Sequence, residues 1–303
     1  MPSNEAPSYQ NAMAALTDQV FVLLQRLLPK YLLTAMIHRL ARIRIVAVKD
    51  FLIRRFVGLY NVDVEEVKHP VPEGYPTFND FFIRELAPGA RPIDESPAAI
   101  VSPADGTLSA AGRIERDRLF QAKGLAYTLT DLLATDTADA GQFIDGAFAT
   151  IYLAPYNYHR VHAPLAGELV AARYVPGSLF SVNGSTVRHL PRLFARNERL
   201  ICHLRTVHGP LTVILVGALN VGTIGTRWTG DLRPRSGGIV EPIDLRDAAD
   251  DLAVARGDTI GWFNMGSTVI LLLPPGASDA FAGLRPGQVL RVGQSIGRMA
   301  ASA

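Results

Sequence analysis

The chain changes texture along its length. Within residues 19–56, apolar side chains recur three and four positions apart, in Leu23, Leu24, Leu27 and Leu28 and again in Leu32, Leu33, Met36, Ile37 and Leu40. That spacing gathers them on one face of an α-helix and predicts amphipathic helices broken at Pro29. Thr77-Phe-Asn-Asp80, ahead of Phe81, Phe82 and Ile83, predicts a short helix with Thr77 as N-cap and Asp80 at the capping-box position. Beyond Pro88 the runs become short, β-rich and punctuated by Pro and Gly, at 148–153, 169–175, 200–207, 211–219, 268–273 and 289–292. A short helix is expected at 130–134, with polar loops at 135–141 and 246–258. The expected class is α+β: N-terminal amphipathic helices (residues 1–75), then a β-rich sandwich or barrel-like core (residues 76–303). The chain carries no tandem repeat and no low-complexity tail.

Composition narrows this picture. A net charge of +2 with 48% apolar residues describes a globular chain and gives no support to nucleic-acid binding. The single cysteine, Cys202, lies in an apolar run, so it reads as a small buried hydrophobe without a disulfide partner. Residues 19–56 carry eight Lys and Arg against one acid, Asp50. Basic amphipathic helices suit an anionic lipid surface, although helices packed on the protein's own core show the same pattern. No uncharged apolar run approaches the roughly 20 residues that span a bilayer. The start, Met1-Pro-Ser-Asn-Glu, lacks the basic and apolar regions of a secretory signal, so a cytoplasmic face is expected.

Three motifs carry chemistry: Ser102-Pro-Ala-Asp105-Gly106, Tyr158-His159-Arg160-Val161-His162 and Gly266-Ser267-Thr268. Together they supply a carboxylate, two imidazoles and a hydroxyl. A serine hydroxyl needs a base that accepts its proton near neutrality, which histidine can be, and a carboxylate can orient that base. His159 and His162 would share a face in a helix but point to opposite sides of a strand, where they would do different work. No Glu, Cys or third His stands at a recognised zinc spacing, so no metal is expected. A Gly-Ser bond can also rearrange: the hydroxyl attacks the preceding carbonyl, the acyl group moves from nitrogen to oxygen, and β-elimination of the ester leaves a pyruvoyl group. Glycine at 266 suits such a step, because without a Cβ it tolerates unusual backbone angles. The same three residues also make an ordinary turn into a strand.

Taken together these residues resemble the short bacterial form of phosphatidylserine decarboxylase. The resemblance covers most of the chain, through Thr77-Phe-Asn-Asp-Phe-Phe82, Arg91-Pro-Ile-Asp94, Pro103-Ala-Asp-Gly106, Gln121-Ala-Lys-Gly124, Tyr158-His-Arg-Val-His162, Val175-Pro-Gly177, Leu179-Phe-Ser-Val-Asn183, Leu193-Phe-Ala-Arg-Asn-Glu-Arg199 and Gly266-Ser-Thr-Val-Ile270. Met265 departs from it, standing where the family commonly has leucine, a near-isosteric change.

The resemblance implies a catalytic β-rich core of hybrid-motif type and a reaction. Ser267 would become a covalent pyruvoyl group, the only cofactor, after self-cleavage at Gly266-Ser267 into a β chain 1–266 and an α chain 267–303. His162 would activate the serine, Asp105 would orient His162, and His159 would act in decarboxylation as proton donor. Phosphatidylserine would condense with the pyruvoyl group as a Schiff base, lose carbon dioxide and leave as phosphatidylethanolamine. The expected partners are phosphatidylserine in an anionic membrane and the chain's own second fragment, with a homodimer of that pair as a further expectation. The location implied is peripheral, on the cytoplasmic face of the cell membrane. Two other readings stand beside this one. The same Asp, His and Ser could form a hydrolase that never cuts itself. Alternatively, Pro286-Gly287-Gln288 and Gly293-Gln294-Ser295-Ile296-Gly297, which resemble the β-sandwich of biotinyl and lipoyl carriers, could belong to a non-catalytic protein.

Overall fold

In the computed structural model the described residues are 9–122, 125–135, 137–219, 223–235 and 237–299. The Met1 to Glu5 start, Lys123-Gly124 of the 121–124 match and the last four residues of the expected α chain lie outside them. Helix α1 runs over Tyr9–Leu27, α2 over Lys30–Ala41 and α3 over Val46–Tyr60. The break at Pro29 is where the sequence places it, and Thr17–Leu27 and Lys30–Ala41 bend by 83° across it. Among the described residues no single helix is long and apolar enough to cross a membrane.

Most apolar residues of α1 and α2 do not turn inward. Leu23, Leu24, Leu27, Leu32, Met36 and Leu40 are exposed. Two buried residues dock α1: Val22 enters the main hydrophobic core, and Gln25 donates to the Thr186 hydroxyl at 3.1 Å and accepts from the Ser181 amide at 2.8 Å. A short helix, α4 (Phe78–Phe82), follows its expected cap, since the Thr77 hydroxyl accepts from the Asp80 amide at 3.1 Å. Phe78, Phe81 and Phe82 of α4 join Ile53 of α3 in a separate small core, against which Met265 packs. That cluster ties the helical region to a loop of the β-rich region.

The larger core is built on one antiparallel sheet. Its order is Glu241–Pro242, Gly167–Val175, Arg199–Thr206, Gly209–Val216, Ser267–Leu273, Ala147–Leu153, Gly106–Arg113 and Val289–Leu290, with Ala253–Val254 added beside Gly167–Val175. Ser267–Leu273 is central and buried along its whole length, as a continuous apolar run demands. A second sheet orders Gly230–Leu232, Ile224–Thr226, Thr259–Phe263 and Arg160–His162. The helix expected at 130–134 is Leu129–Leu133. Two segments expected as loops are partly ordered: Thr137–Gly141 forms a helical turn, and the 246–258 stretch contains a 3-10 helix at Arg246–Asp251 and the strand Ala253–Val254.

Candidate active site

Asn264, Met265 and Gly266 form the crossing between the two sheets, since Thr259–Phe263 lies in one and Ser267–Leu273 in the other. Two consecutive residues of this connection take left-handed backbone angles, Met265 at φ 119° and Gly266 at φ 26°. For a residue with a side chain such a conformation costs on the order of 1–3 kcal/mol and persists only where its surroundings enforce it. A Cβ built on Gly266 would meet nothing within 4 Å, so backbone conformation rather than space is what glycine serves there.

The enforcing contacts start at Asn264, which is fully buried. Its side-chain oxygen accepts from Asn79 of α4 at 2.8 Å, its nitrogen donates to Asp231 at 2.9 Å and to the Thr223 hydroxyl, and its amide donates to the Thr223 carbonyl at 3.0 Å. Met265 is held next by the apolar side chains of α3 and α4. Beyond the strained pair, Ser267 pairs with Leu153 as the first residue of its strand. Its hydroxyl is buried and has no hydrogen-bond partner. An unpaired buried hydroxyl costs about 1–3 kcal/mol, which marks a group kept for chemistry or for a ligand.

The two histidines come from the crossing on the other side. Ala147–Leu153 pairs with the Ser267 strand, and Arg160–His162 pairs with Thr259–Phe263, so the turn carrying His159 lies beside the 264–266 connection. The Phe263 amide donates to the His159 carbonyl at 3.0 Å. His159 is fully buried, with Nδ1 at 2.8 Å from the Asn157 carbonyl. A carbonyl only accepts, so Nδ1 carries the proton and Nε2 is a lone pair. That Nε2 is buried without a partner, and the imidazole lies against Phe82 with ring centroids 4.1 Å apart. Burial, and then the charge of Arg84, push the His159 pKa down to about 3, so the ring is neutral at physiological pH.

His162 has a different setting. Its Nδ1 donates to the Gly257 carbonyl at 2.7 Å and its Nε2 accepts from the Tyr158 hydroxyl at 3.2 Å. Burial lowers its pKa, with the Asp105 charge among the influences acting the other way. Asp105 makes no hydrogen bond to it. Both Asp105 oxygens are taken by Arg91, at 2.6 to 3.1 Å, and one also accepts from the Val292 amide at 2.8 Å. Asp105 therefore influences His162 through its field. Tyr158, Arg160, His162, Arg91 and Glu85 line a cavity of about 230 Å³. Ser267 and His159 are not among the residues lining it. Arg199 is not available to a ligand, because it is buried on the backbone carbonyls of Leu132, Ala195, Asn197 and Asp131. Among the described residues no group of three His, Cys, Asp or Glu is placed to hold a metal ion.

Sequence reasoning missed Asn79, Asp231, Thr223 and Arg91 as supports of the site. Only Asn79 and Arg91 stood in motifs that carried any signal, and nothing near Asp231 did.

Known proteins resemble this chain along most of its length. The family described as phosphatidylserine decarboxylase matches residues 78–298, and a second family description, PSD, matches residues 20–61. A phosphatidylserine decarboxylase proenzyme of Methylococcus capsulatus is 46% identical over 285 residues, covering 94% of this chain and 98% of that protein. Those of Acidovorax ebreus and Alkalilimnicola ehrlichii are 45% and 49% identical, over 93% and 81% of this chain and 98% and 85% of their own. With these relatives beside it, the strand-built core with appended helices is that of a decarboxylase. The chain belongs to the phosphatidylserine decarboxylase family.

Proposed function

We propose that this protein converts phosphatidylserine to phosphatidylethanolamine and carbon dioxide after cutting itself between Gly266 and Ser267. One observation carries the self-cleavage: a buried, unpartnered Ser267 hydroxyl directly follows two residues held at left-handed φ. Such a hydroxyl has no competing hydrogen bond to give up before attacking the Gly266 carbonyl. The strain stored in the connection is released when the peptide is broken. Ester formation and β-elimination then separate the chain into residues 1–266 and 267–303, and water displaces the former Ser267 nitrogen as ammonia.

The residues around Ser267 fit a covalent pyruvoyl group there. That group, when formed, supplies a carbonyl able to draw electrons from the bond to the departing carboxylate. The remaining work falls to the protein. In this reading His162 takes the Ser267 proton; its Nδ1 is fixed on Gly257, so Nε2 is the accepting atom once it releases Tyr158. Asp105, clamped by Arg91, favours the charged imidazolium that results. His159, neutral and with Nε2 free, would take the proton that the substrate ammonium gives up when its amine condenses, and would deliver it to the product carbon after carbon dioxide has left. Phe82 and the buried turn around His159 keep water from that proton.

The substrate lies in a bilayer, and the exposed leucines of α1 and α2 together with the basic residues of 19–56 fit peripheral attachment to the cytoplasmic face of an anionic membrane. The two fragments stay together as a heterodimer in this reading, because Ser267–Leu273 is hydrogen-bonded on both sides to strands of the larger fragment. Intact mass spectrometry tests the central claim. Wild type yields two chains, the small one without a free amino terminus, and Ser267→Ala yields one uncut, inactive chain. A single unbroken chain with full activity would leave the hydrolase or another reading in its place.

A further inference from the structure

A cavity rich in basic side chains lies against α2, and none of its lining residues comes from the Ser267 strand. It measures about 600 Å³ and is lined by Tyr31, Thr34, His38, Arg39 and Arg42 of α2 with Arg233 from the segment after Gly230–Leu232. Only Arg42 is neutralised, by Asp231 at 3.1 Å. Arg39 and Arg233 have no ion pair among the described residues. His38 reports the resulting field: burial, then Arg42 and Arg233, lower its pKa. A second and independent feature is Thr34. It is 3% exposed, lines the cavity, and its hydroxyl has no hydrogen-bond partner. Unpaired guanidinium groups and an unpaired buried hydroxyl together ask for an oxyanion. The Tyr31 hydroxyl reaches the carbonyls of Gly177 and Arg235, which fixes one wall of the cavity.

We propose that this cavity binds the phosphate group of an anionic glycerophospholipid, as a site separate from the one where phosphatidylserine reacts. Arg39 and Arg233 grip the phosphate oxygens, and Thr34 donates its hydroxyl. A lipid fits better than a soluble phosphate because Leu32, Met36 and Leu40 form an exposed apolar row on α2 one step around the helix from Ala35 and Arg39 at the cavity rim. The phosphate enters the cavity while the acyl chains stay in the bilayer beside that row. The inference builds on the membrane-surface reading and does not depend on the role of Ser267.

Flotation with phosphatidylcholine vesicles, with and without phosphatidylglycerol, tests it on the full chain. The comparison is between Arg39→Ala/Arg233→Ala and a control, Arg26→Ala/Arg44→Ala, which removes two exposed arginines elsewhere in the same region. Diffuse attraction to a charged surface weakens both doubles equally. A built site weakens the first at least roughly tenfold more than the control, and Thr34→Val, which keeps every charge, weakens binding about threefold, the worth of one hydrogen bond. Equal losses in the two doubles, or unchanged binding of Thr34→Val, overturn the site. Calorimetry with glycerol phosphate separates the sources: if Arg39→Ala/Arg233→Ala abolishes that binding yet floats like the control, the site serves a soluble phosphate and the lipid proposal fails. Self-cleavage and carbon dioxide release from detergent-dispersed phosphatidylserine, followed on the same proteins, stay at the wild-type level. Their loss in wild type would count against the decarboxylase reading alone.

Discussion

Asn264 donates its side-chain N–H to Asp231 at 2.9 Å, and the other oxygen of that carboxylate holds Arg42 of α2 at 3.1 Å. One acidic residue thus joins the basic, outward-facing helix to the residue that opens the strained connection before Ser267. Trp262 also donates to Asp231, at 2.8 Å, so the last strand before the connection is pinned from the same point.

Replacing Asp231 therefore acts on processing without touching the reacting atoms. Asp231→Asn keeps an oxygen for Asn264 and Trp262 and loses the charge that holds Arg42. Asp231→Ala removes both. The alanine variant is expected to slow self-cleavage about tenfold, equivalent to about 1.4 kcal/mol of barrier, and the asparagine variant much less. A time course of fragment appearance by mass spectrometry reads this directly. Equal rates in all three proteins would mean that Asn264 is positioned without help from Asp231.

Gly266→Ala separates strain from space. Nothing lies within 4 Å of the added Cβ, so the variant folds, but an L residue at φ 26° costs about 1–2 kcal/mol. If that cost moves the connection toward ordinary angles, fragment formation slows while the melting temperature drops only by a few degrees, as about 1 kcal/mol in a domain of this size allows. Processing at the wild-type rate would show that the angle at Gly266 has no part in the reaction.

The elements that the sequence reveals are those with one strong local signal. Thr77 and Asp80 announce α4, and the unbroken run after Ser267 announces a buried central strand. Short strands such as Arg160–His162 escape notice, because three residues cannot display a period and their pairing with Thr259–Phe263 is decided by distant chain. The outward turn of Leu23, Leu27 and Leu32 is equally hidden: a helical period shows that a stripe exists, and only packing shows which way it faces. Ser267, Gly266, His159 and His162 stand out in the sequence as candidates by motif chemistry. Arg91 between Asp105 and Glu66, and Asp231 behind Asn264, are contacts made across 14, 25 and 33 residues that no local pattern predicts.

The two histidines should fail differently. His162→Ala is expected to block formation of the two fragments, and His159→Ala to permit it while lowering carbon dioxide release by about a hundredfold or more, the usual scale of a lost proton-transfer group. Fragment analysis and a carbon dioxide assay on the same preparations distinguish them. A fully active His159→Ala protein, or normal cleavage in His162→Ala, would reassign the corresponding role.

Burial of His159 also has a stability consequence. Its folded pKa of about 3 lies below the ordinary histidine value near 6.5, so between those pH values the unfolded chain binds the extra proton. Stability contributed by the neutral ring is complete above about pH 6.5 and is lost as pH falls toward 3. His203, lowered to about 4 chiefly by burial, adds to the same trend. Urea midpoints at pH 7 and pH 5 should differ less in His203→Gln than in wild type, and identical differences would remove His203 from the account.

Glu198 should tilt stability in the opposite direction. It is fully buried between strands, its Oε2 accepts from the Tyr174 hydroxyl at 2.7 Å, and its Oε1 has no partner. Burial raises its pKa to about 7, with the Tyr174 hydrogen bond opposing the shift. For an acid this means that the unfolded chain gives up the proton first. Stability linked to the protonated carboxyl is present below about pH 4.5 and is lost as pH climbs through 7. Glu198→Gln keeps the shape and an oxygen for Tyr174 but cannot ionise, so it should match wild type near pH 4 and exceed it near pH 8 by roughly 3 kcal/mol, from 1.36 kcal/mol per pKa unit. Denaturant titrations of both proteins at the two pH values measure the difference. A glutamine variant that is less stable than wild type at pH 8 would show that the carboxylate is ionised and paired in the folded protein.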